Sequence, residues 1–280
     1  MRGLALCCCL LALPAAAQEP LHRFALFIGQ NEGGEGTKPL LYARDDAKRL
    51  HDVFLRLGGV KPEDAMLILD ETADDVTTAL GELERRIRDA KTRGERTTLL
   101  FYYSGHAKDG SLRLGTTKLP LESIKTRLAT GPADMRVAFL DACRSGAVTR
   151  TKGVRRAPAF EVETDATRQA KGLVILTSSA SDEDSQESDL IGASYFSYPL
   201  ATGLLGSADT GDGRVTLSEA YAWAYERTVA STADSAAGPQ HPTFSFDLAG
   251  NGDLVLTDVA ERHEGLRIPA TAPTGPYFII

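Results

Sequence analysis

Short apolar runs recur along the chain, and between them apolar positions return at intervals of three and four. Residues 23–29 form one such run, closed by Gly29 and followed by the polar, glycine-rich stretch from Asn31 to Gly36. A continuous run bounded by turn residues marks a strand buried on both faces. Residues 65–69, 97–103, 136–140 and 173–177 repeat that pattern. Ala43, Ala47, Leu50, Phe54 and Leu57 predict a helix over 43–57, stopped by Gly58-Gly59. Val76, Leu80, Leu83, Ile87 and Ala90 predict a second before Gly94, and residues 121–128 read as a third after Pro120. A ribbon is expected near 112–114, helices over 195–205 and 217–228, and short strands over 243–247 and 253–257. Strands alternating with helices at this spacing predict an α/β fold, with a mostly parallel sheet covered by helices on both faces. In such sheets the functional groups gather at the carboxyl ends of the strands.

Composition refines this picture at the chain's start. Arg2, a ten-residue apolar stretch over 4–13, Pro14 and the small residues Ala15-Ala16-Ala17 read as a signal peptide over residues 1–17. A membrane span needs about 20 apolar residues, so no span is expected, and the mature protein is expected to be exported, periplasmic or secreted. Residues 18–260 then form the functional domain, and 261–280, with Pro269, Pro273 and Pro276, a C-terminal tail. The net charge of −7 makes nucleic acid a poor partner.

Cys7, Cys8 and Cys9 lie inside the leader, so Cys143 is the one cysteine of the mature chain and has no disulfide partner within it. It is either a small buried hydrophobe or a reactive thiol. Its surroundings favour the second. The run ending at Tyr103 opens into Ser104-Gly105-His106-Ala107, and the next into Asp141-Ala142-Cys143. A histidine and a thiol thus emerge where strands stop, and adjacent strands would bring them together. A thiol attacks a carbonyl as thiolate, and histidine is the side chain suited to supply that form near neutral pH. His22, His51, His241 and His263 show no metal-ligand spacing.

Together the strand ends Tyr103-Ser104-Gly105-His106-Ala107 and Asp141-Ala142-Cys143-Arg144-Ser145-Gly146 resemble the caspase-like cysteine peptidases, most closely the metacaspase and bacterial caspase-like branch. The resemblance implies a three-layer caspase-like sandwich and a cysteine endopeptidase working through a thioacyl-enzyme. It implies Cys143 as nucleophile, His106 as base and later proton donor, and an oxyanion hole from the backbone N–H groups of Cys143 and Ala107. The family usually has glycine at the latter place, and alanine keeps the N–H. Where aspartate-cutting caspases carry glutamine two places before the cysteine, this chain has Asp141. Tyr42-Ala43-Arg44-Asp45-Asp46-Ala47 resembles the metacaspase segment whose aspartate lines the pocket. Asp46 and Asp141 would then favour cleavage after Arg or Lys, with Ser104 and Asp182 completing the substrate-binding set. The alternatives are a solvated Asp46 in the first turn of its helix and an Asp141 that caps a strand end.

Residues 178–188 occupy the place of a further substrate-binding loop, with a polar surface turn as the alternative. Arg150, Lys152, Arg155, Arg156, Arg168 and Lys171 crowd the stretch after Cys143, as self-cleavage sites or as a solvated linker. Residues 208–219 resemble a calcium loop with Gly213 and Glu219 in place, yet Ala208 and Thr210 stand where acids belong. A turn leading into a helix fits better. No cofactor is expected, calcium being the one to test, and the expected partners are protein or peptide substrates with basic residues. A catalytically silent caspase-like scaffold is the competing function, and a thiol-transfer protein is a third that lacks a resolving cysteine.

Overall fold

In a computed structural model of the chain, the described residues are 21–142, 171–180, 183–249 and 253–260. Cys143, Asp182, the leader, most of the basic stretch and the tail lie outside them. In chain order the elements are β1 (Leu21–Gly29), α1 (Ala43–Leu57), β2 (Val60–Leu69), α2 (Ala73–Thr92), β3 (Arg96–Ser104), β4 (Ala107–Lys108), β5 (Ser111–Leu114) and β6 (Thr117–Pro120). Then follow α3 (Leu121–Thr130), β7 (Met135–Asp141), β8 (Lys171–Thr177), β9 (Glu187–Ser188), β10 (Ala193–Ser194) and α4 (Ser197–Thr202). The described chain ends with β11 (Arg214–Thr216), α5 (Leu217–Thr232), β12 (Thr243–Ala249) and β13 (Val255–Asp258).

Six strands form the central sheet in the order β12-β8-β7-β3-β1-β2. All neighbours run parallel except β12, which pairs antiparallel with β8 at one edge. Side chains alternate across a strand, and here the alternation splits the core. Phe24, Leu26, Ile28, Leu99, Phe101 and Tyr103 face the side covered by α2 and α3. Ala25, Phe27, Leu100, Tyr102 and Phe139 face the side covered by α1, α4 and α5. The result is the expected three-layer α/β sandwich. Both faces being covered explains why its strands read as unbroken apolar runs.

Two elements differ from expectation. The helix predicted over 195–205 ends at Thr202 and continues as a π-turn over Gly203–Ser207, where Gly206 takes a φ of 116° that breaks the helical path. β2 begins at Val60, five residues before the apolar run: it is an edge strand, Lys61 to Glu63 are exposed, and a bulge opposite Arg23–Ala25 interrupts its ladder. The predicted ribbon is the three-stranded β4-β5-β6 sheet. The calcium-like stretch is a capped turn. Asp209 Oδ1 accepts the backbone N–H groups of Gly211, Asp212 and Gly213, while Thr216 and Glu219 form a capping box that starts α5.

At the amino ends of the strands, charges are matched. His22 lies with one ring nitrogen 2.6 Å from Glu95 and the other 2.7 Å from Asp64. Asp134 accepts from Lys91 and from the backbone and hydroxyl of Thr97. Among the described residues no helix is long and apolar enough to cross a membrane.

Candidate active site

The register of the parallel strands sets the site. Gly29 lies opposite Ser104, and Ser104 opposite Asp141, so β1, β3 and β7 stop together. His106 follows two residues after Ser104, and the chain leaving β7 runs through Ala142 toward Cys143. The sequence expectation that His106 follows a strand paired with the one before Cys143 is met. Ala142 is buried, and its N–H donates to Ser178 Oγ at 3.2 Å, fixing the exit from β7 to the end of β8. Gly105 has no room for a side chain, since a Cβ would come 2.5 Å from Tyr103 Oη. Its N–H instead donates to the Asp141 carbonyl at 3.0 Å, turning the chain so that His106 enters the cleft.

The imidazole of His106 rests on a strap between β1 and α1. A Cβ at Gly33 would lie 2.5 Å from His106 Cδ2, so the ring lies directly over a glycine. Nε2 is 2.8 Å from the Lys38 carbonyl oxygen. A carbonyl only accepts, so Nε2 carries the proton and the neutral ring keeps its lone pair on Nδ1. Burial pushes the ring's pKa down, and the nearby Arg113 guanidinium adds to that, against the opposing Lys38 carbonyl and Glu32. A base that is neutral near pH 7 and whose tautomer is fixed by its other nitrogen is suited to take a proton from a thiol.

The strap is itself tied down. Arg113 Nε donates to the Gly33 carbonyl, Gly115 N–H and Gln30 Nε2 donate to the Glu32 carbonyl, and Leu40 N–H to the Asn31 carbonyl. The β4-β5 hairpin closes the other side of His106, whose carbonyl accepts from Arg113 N–H at 2.8 Å and Tyr103 Oη at 2.7 Å. In an antiparallel ladder this bond makes Ala107 and Leu112 a non-hydrogen-bonded pair. The N–H of Ala107 therefore points away from the hairpin partner.

An open cleft of about 280 Å³, counting space open to solvent, is lined by Ser104, Gly105, His106, Asp141, Ser185, Gln186, Glu187 and Ser194, with Leu40 at its edge. Asp141 is buried at its floor. Its Oδ1 accepts from Ser185 Oγ at 2.6 Å and its Oδ2 from Ser197 Oγ at 2.5 Å, and Tyr102 Oη lies 2.6 Å from the same Ser197 oxygen. Asp46 is fully buried in the first turn of α1, which rules out the solvated alternative. It accepts from Ser194 N–H at 3.0 Å and pairs with Arg49 at 2.5 Å. Burial and repulsion from Asp141 nonetheless raise its pKa to about 8. Ser104 is buried at the end of β3, beside Asp141.

Sequence reasoning missed four participants. Glu187, within a run that reads as a polar turn, places a half-buried carboxylate in the cleft, its pKa raised first by burial and further by Asp141 and Asp189. Ser194 and Ser197, at the entry to the helix predicted over 195–205, bind the two buried aspartates. The Lys38 carbonyl acts through the backbone and has no signature in side-chain identity.

Comparison with known proteins places this geometry. A profile of the caspase domain matches residues 22–250. The fold is similar to a crystal structure of caspase-1 from Spodoptera frugiperda, with a TM-score of 0.57 and 15% sequence identity, covering 84% of this chain and 94% of that one. No curated protein matches the sequence significantly. The profile spans most of the chain and the sandwich agrees with it, so the chain belongs to the caspase-domain family of cysteine peptidases.

Proposed function

We propose that the protein is a cysteine endopeptidase that uses a Cys143/His106 dyad to cleave after Arg or Lys, acting after export directed by residues 1–17. The observation that carries this reading is the pairing of an oriented neutral imidazole with a carboxylate-lined cleft at one end of the sheet. His106 Nδ1 takes the Cys143 thiol proton as sulfur attacks the scissile carbonyl. The developing oxyanion is met by the N–H groups of Ala107 and Cys143. As the tetrahedral intermediate collapses, the C–N bond breaks and His106 returns the proton to the leaving amine. Water, deprotonated by His106, then hydrolyses the thioacyl-enzyme and restores the thiol.

Specificity follows from charge. Asp46 and Asp141 lie close enough to repel, and a guanidinium or ammonium relieves that repulsion while favouring the ionised form of Asp46. An aspartate side chain would add to it. The strand ends around His106 and Cys143, with the segment from Tyr42 to Ala47, are what liken the chain to the metacaspase branch.

The test is turnover of fluorogenic peptides ending in Arg, Lys or Asp by protein lacking residues 1–17, with calcium and with chelator, beside Cys143→Ala. Turnover after Arg or Lys that vanishes in the variant is the expected result. Turnover only after Asp overturns the pocket assignment, and silence on all three overturns the peptidase reading in favour of a scaffold. The same variant, purified intact where the active protein is nicked between 147 and 171, would establish self-cleavage.

A further inference from the structure

We propose that Glu187 is a positioning residue that locks the substrate pocket to the strap orienting His106, so that pocket and base are set as one unit. Both of its carboxylate oxygens reach across the cleft. Oε2 accepts the Leu41 N–H at 2.9 Å and Oε1 the Tyr42 N–H at 3.1 Å. These are the residues leading into α1, whose cap residue Tyr42 makes no side-chain capping hydrogen bond to the helix. A carboxylate at that place also suits the helix dipole.

The two ends of this connection do different work. On one side, Lys38 lies three residues before Leu41 in the same strap and gives His106 its carbonyl partner. Asn31 holds that segment from behind, its Oδ1 accepting Arg44 N–H and its Nδ2 donating to the Leu41 carbonyl. On the other side, Ser185 lies two residues before Glu187 and binds Asp141 Oδ1. The antiparallel pair of Glu187 with Ser194 extends the link to Asp46, which accepts the Ser194 N–H. Of the strap's anchors described above, Glu187 alone comes from the substrate-pocket side of the cleft. Tyr42 Oη adds a contact to Asp189 at 2.8 Å, but this is an exposed hydroxyl on a carboxylate, where Glu187 makes two backbone bonds from a half-buried position.

The chemistry differs from that of a third specificity carboxylate. A group that touched the cationic side chain would act on binding. One that fixes the strap acts on the geometry of the base, where a displacement of about 1 Å can cost about 100-fold in rate. This inference rests on the peptidase reading for its kinetic consequence but not for its structural one, and the two are measured separately.

The experiment uses the full chain with 13C- and 15N-labelled histidine. In the wild type, NMR should show His106 as the Nε2–H tautomer. In Glu187→Gln, which keeps the length but loses one acceptor, the ring should populate both tautomers or broaden. Glu187→Asp, which keeps the charge but is one methylene too short, should behave the same way; it also decides the matter should the glutamine variant not fold. With peptides, kcat should fall roughly 10- to 100-fold for Arg and Lys alike, with KM little changed. An unchanged His106 ring in a folded variant overturns the proposal. So does a change confined to KM or to the Arg-to-Lys ratio, which would make Glu187 a substrate contact. If the wild type cleaves nothing, the peptidase reading fails, and the histidine spectra still decide the role of Glu187.

Discussion

The two ends of the central sheet handle charge in opposite ways. At the amino ends, His22 sits between Asp64 and Glu95, Arg93 covers Glu95, and Asp134 is met by Lys91 and Thr97. Each acid there has a donor that the fold supplies. At the carboxyl ends, Asp46, Asp141 and Glu187 converge with Arg49 as the cation paired to Asp46, and that pairing does not prevent the Asp46 pKa from rising to about 8. The rest of their hydrogen bonding comes from neutral hydroxyls and backbone N–H groups. The same sheet thus carries a finished electrostatic arrangement at one end and an unbalanced one at the other. Buried acids left without cations cost stability, and on the proposed reading the basic side chain of a substrate completes them.

Substitutions at the two ends should separate these roles. The largest effect is expected at the base: His106→Ala should lower kcat on Arg peptides by about 10²- to 10⁴-fold with an unaltered circular dichroism spectrum. Next, Asp141→Asn should cost about 2–5 kcal/mol of transition-state binding for Arg peptides, read as kcat/KM. A neutral pocket that still preferred Arg would break the comparison. At the opposite end, His22→Ala should lower the unfolding free energy by about 1–3 kcal/mol, because it strips the ring that bridges two carboxylates, and leave kcat/KM where it was. The smallest effect concerns Asp46 and pH. Its folded pKa of about 8 exceeds the ordinary aspartate value of 3.8, so between the two the folded state holds a proton that the unfolded state has lost. Its contribution to stability is therefore greatest below the unfolded value and is lost as pH rises toward about 8. Asp46→Asn should raise the melting temperature at pH 8 by a few degrees more than at pH 4. In the wild type, KM for Arg peptides should fall over the same rise in pH, as Asp46 ionises.

The sheet and its helices were legible because burial on both faces leaves continuous apolar runs in β1, β3, β7 and β8, and because α1 and α2 keep a regular apolar stripe. Leu204 and Leu205 extend the apolar pattern of the segment before them, which is why the π-turn at Gly203–Ser207 could not be read from spacing. The candidate cleft was legible where a side chain carries the signal in its own identity. His106, Asp46 and Asp141 each follow a recognisable strand end or helix start, whereas Cys143 and Asp182 lie outside the described residues and stand as sequence expectations. What was hidden acts at a distance in sequence. Glu187 reaches residues 146 and 145 positions away, and Ser197 reaches Asp141 across 56. Nothing local distinguishes those side chains from any other polar surface group.

Gly33 carries a constraint of a different kind. Its backbone is not in the left-handed region that by itself calls for glycine, and what a Cβ would strike is His106 and Thr37. The identity of residue 33 is therefore dictated by the ring above it together with the Thr37 hydroxyl. Over evolutionary time the positions should drift together: a lineage that keeps the histidine must keep the glycine, while one that has lost both the histidine and Thr37 is released to accept alanine or serine there. Position 33 becomes a marker by which working relatives can be told from silent ones, written in a residue that takes no part in the chemistry.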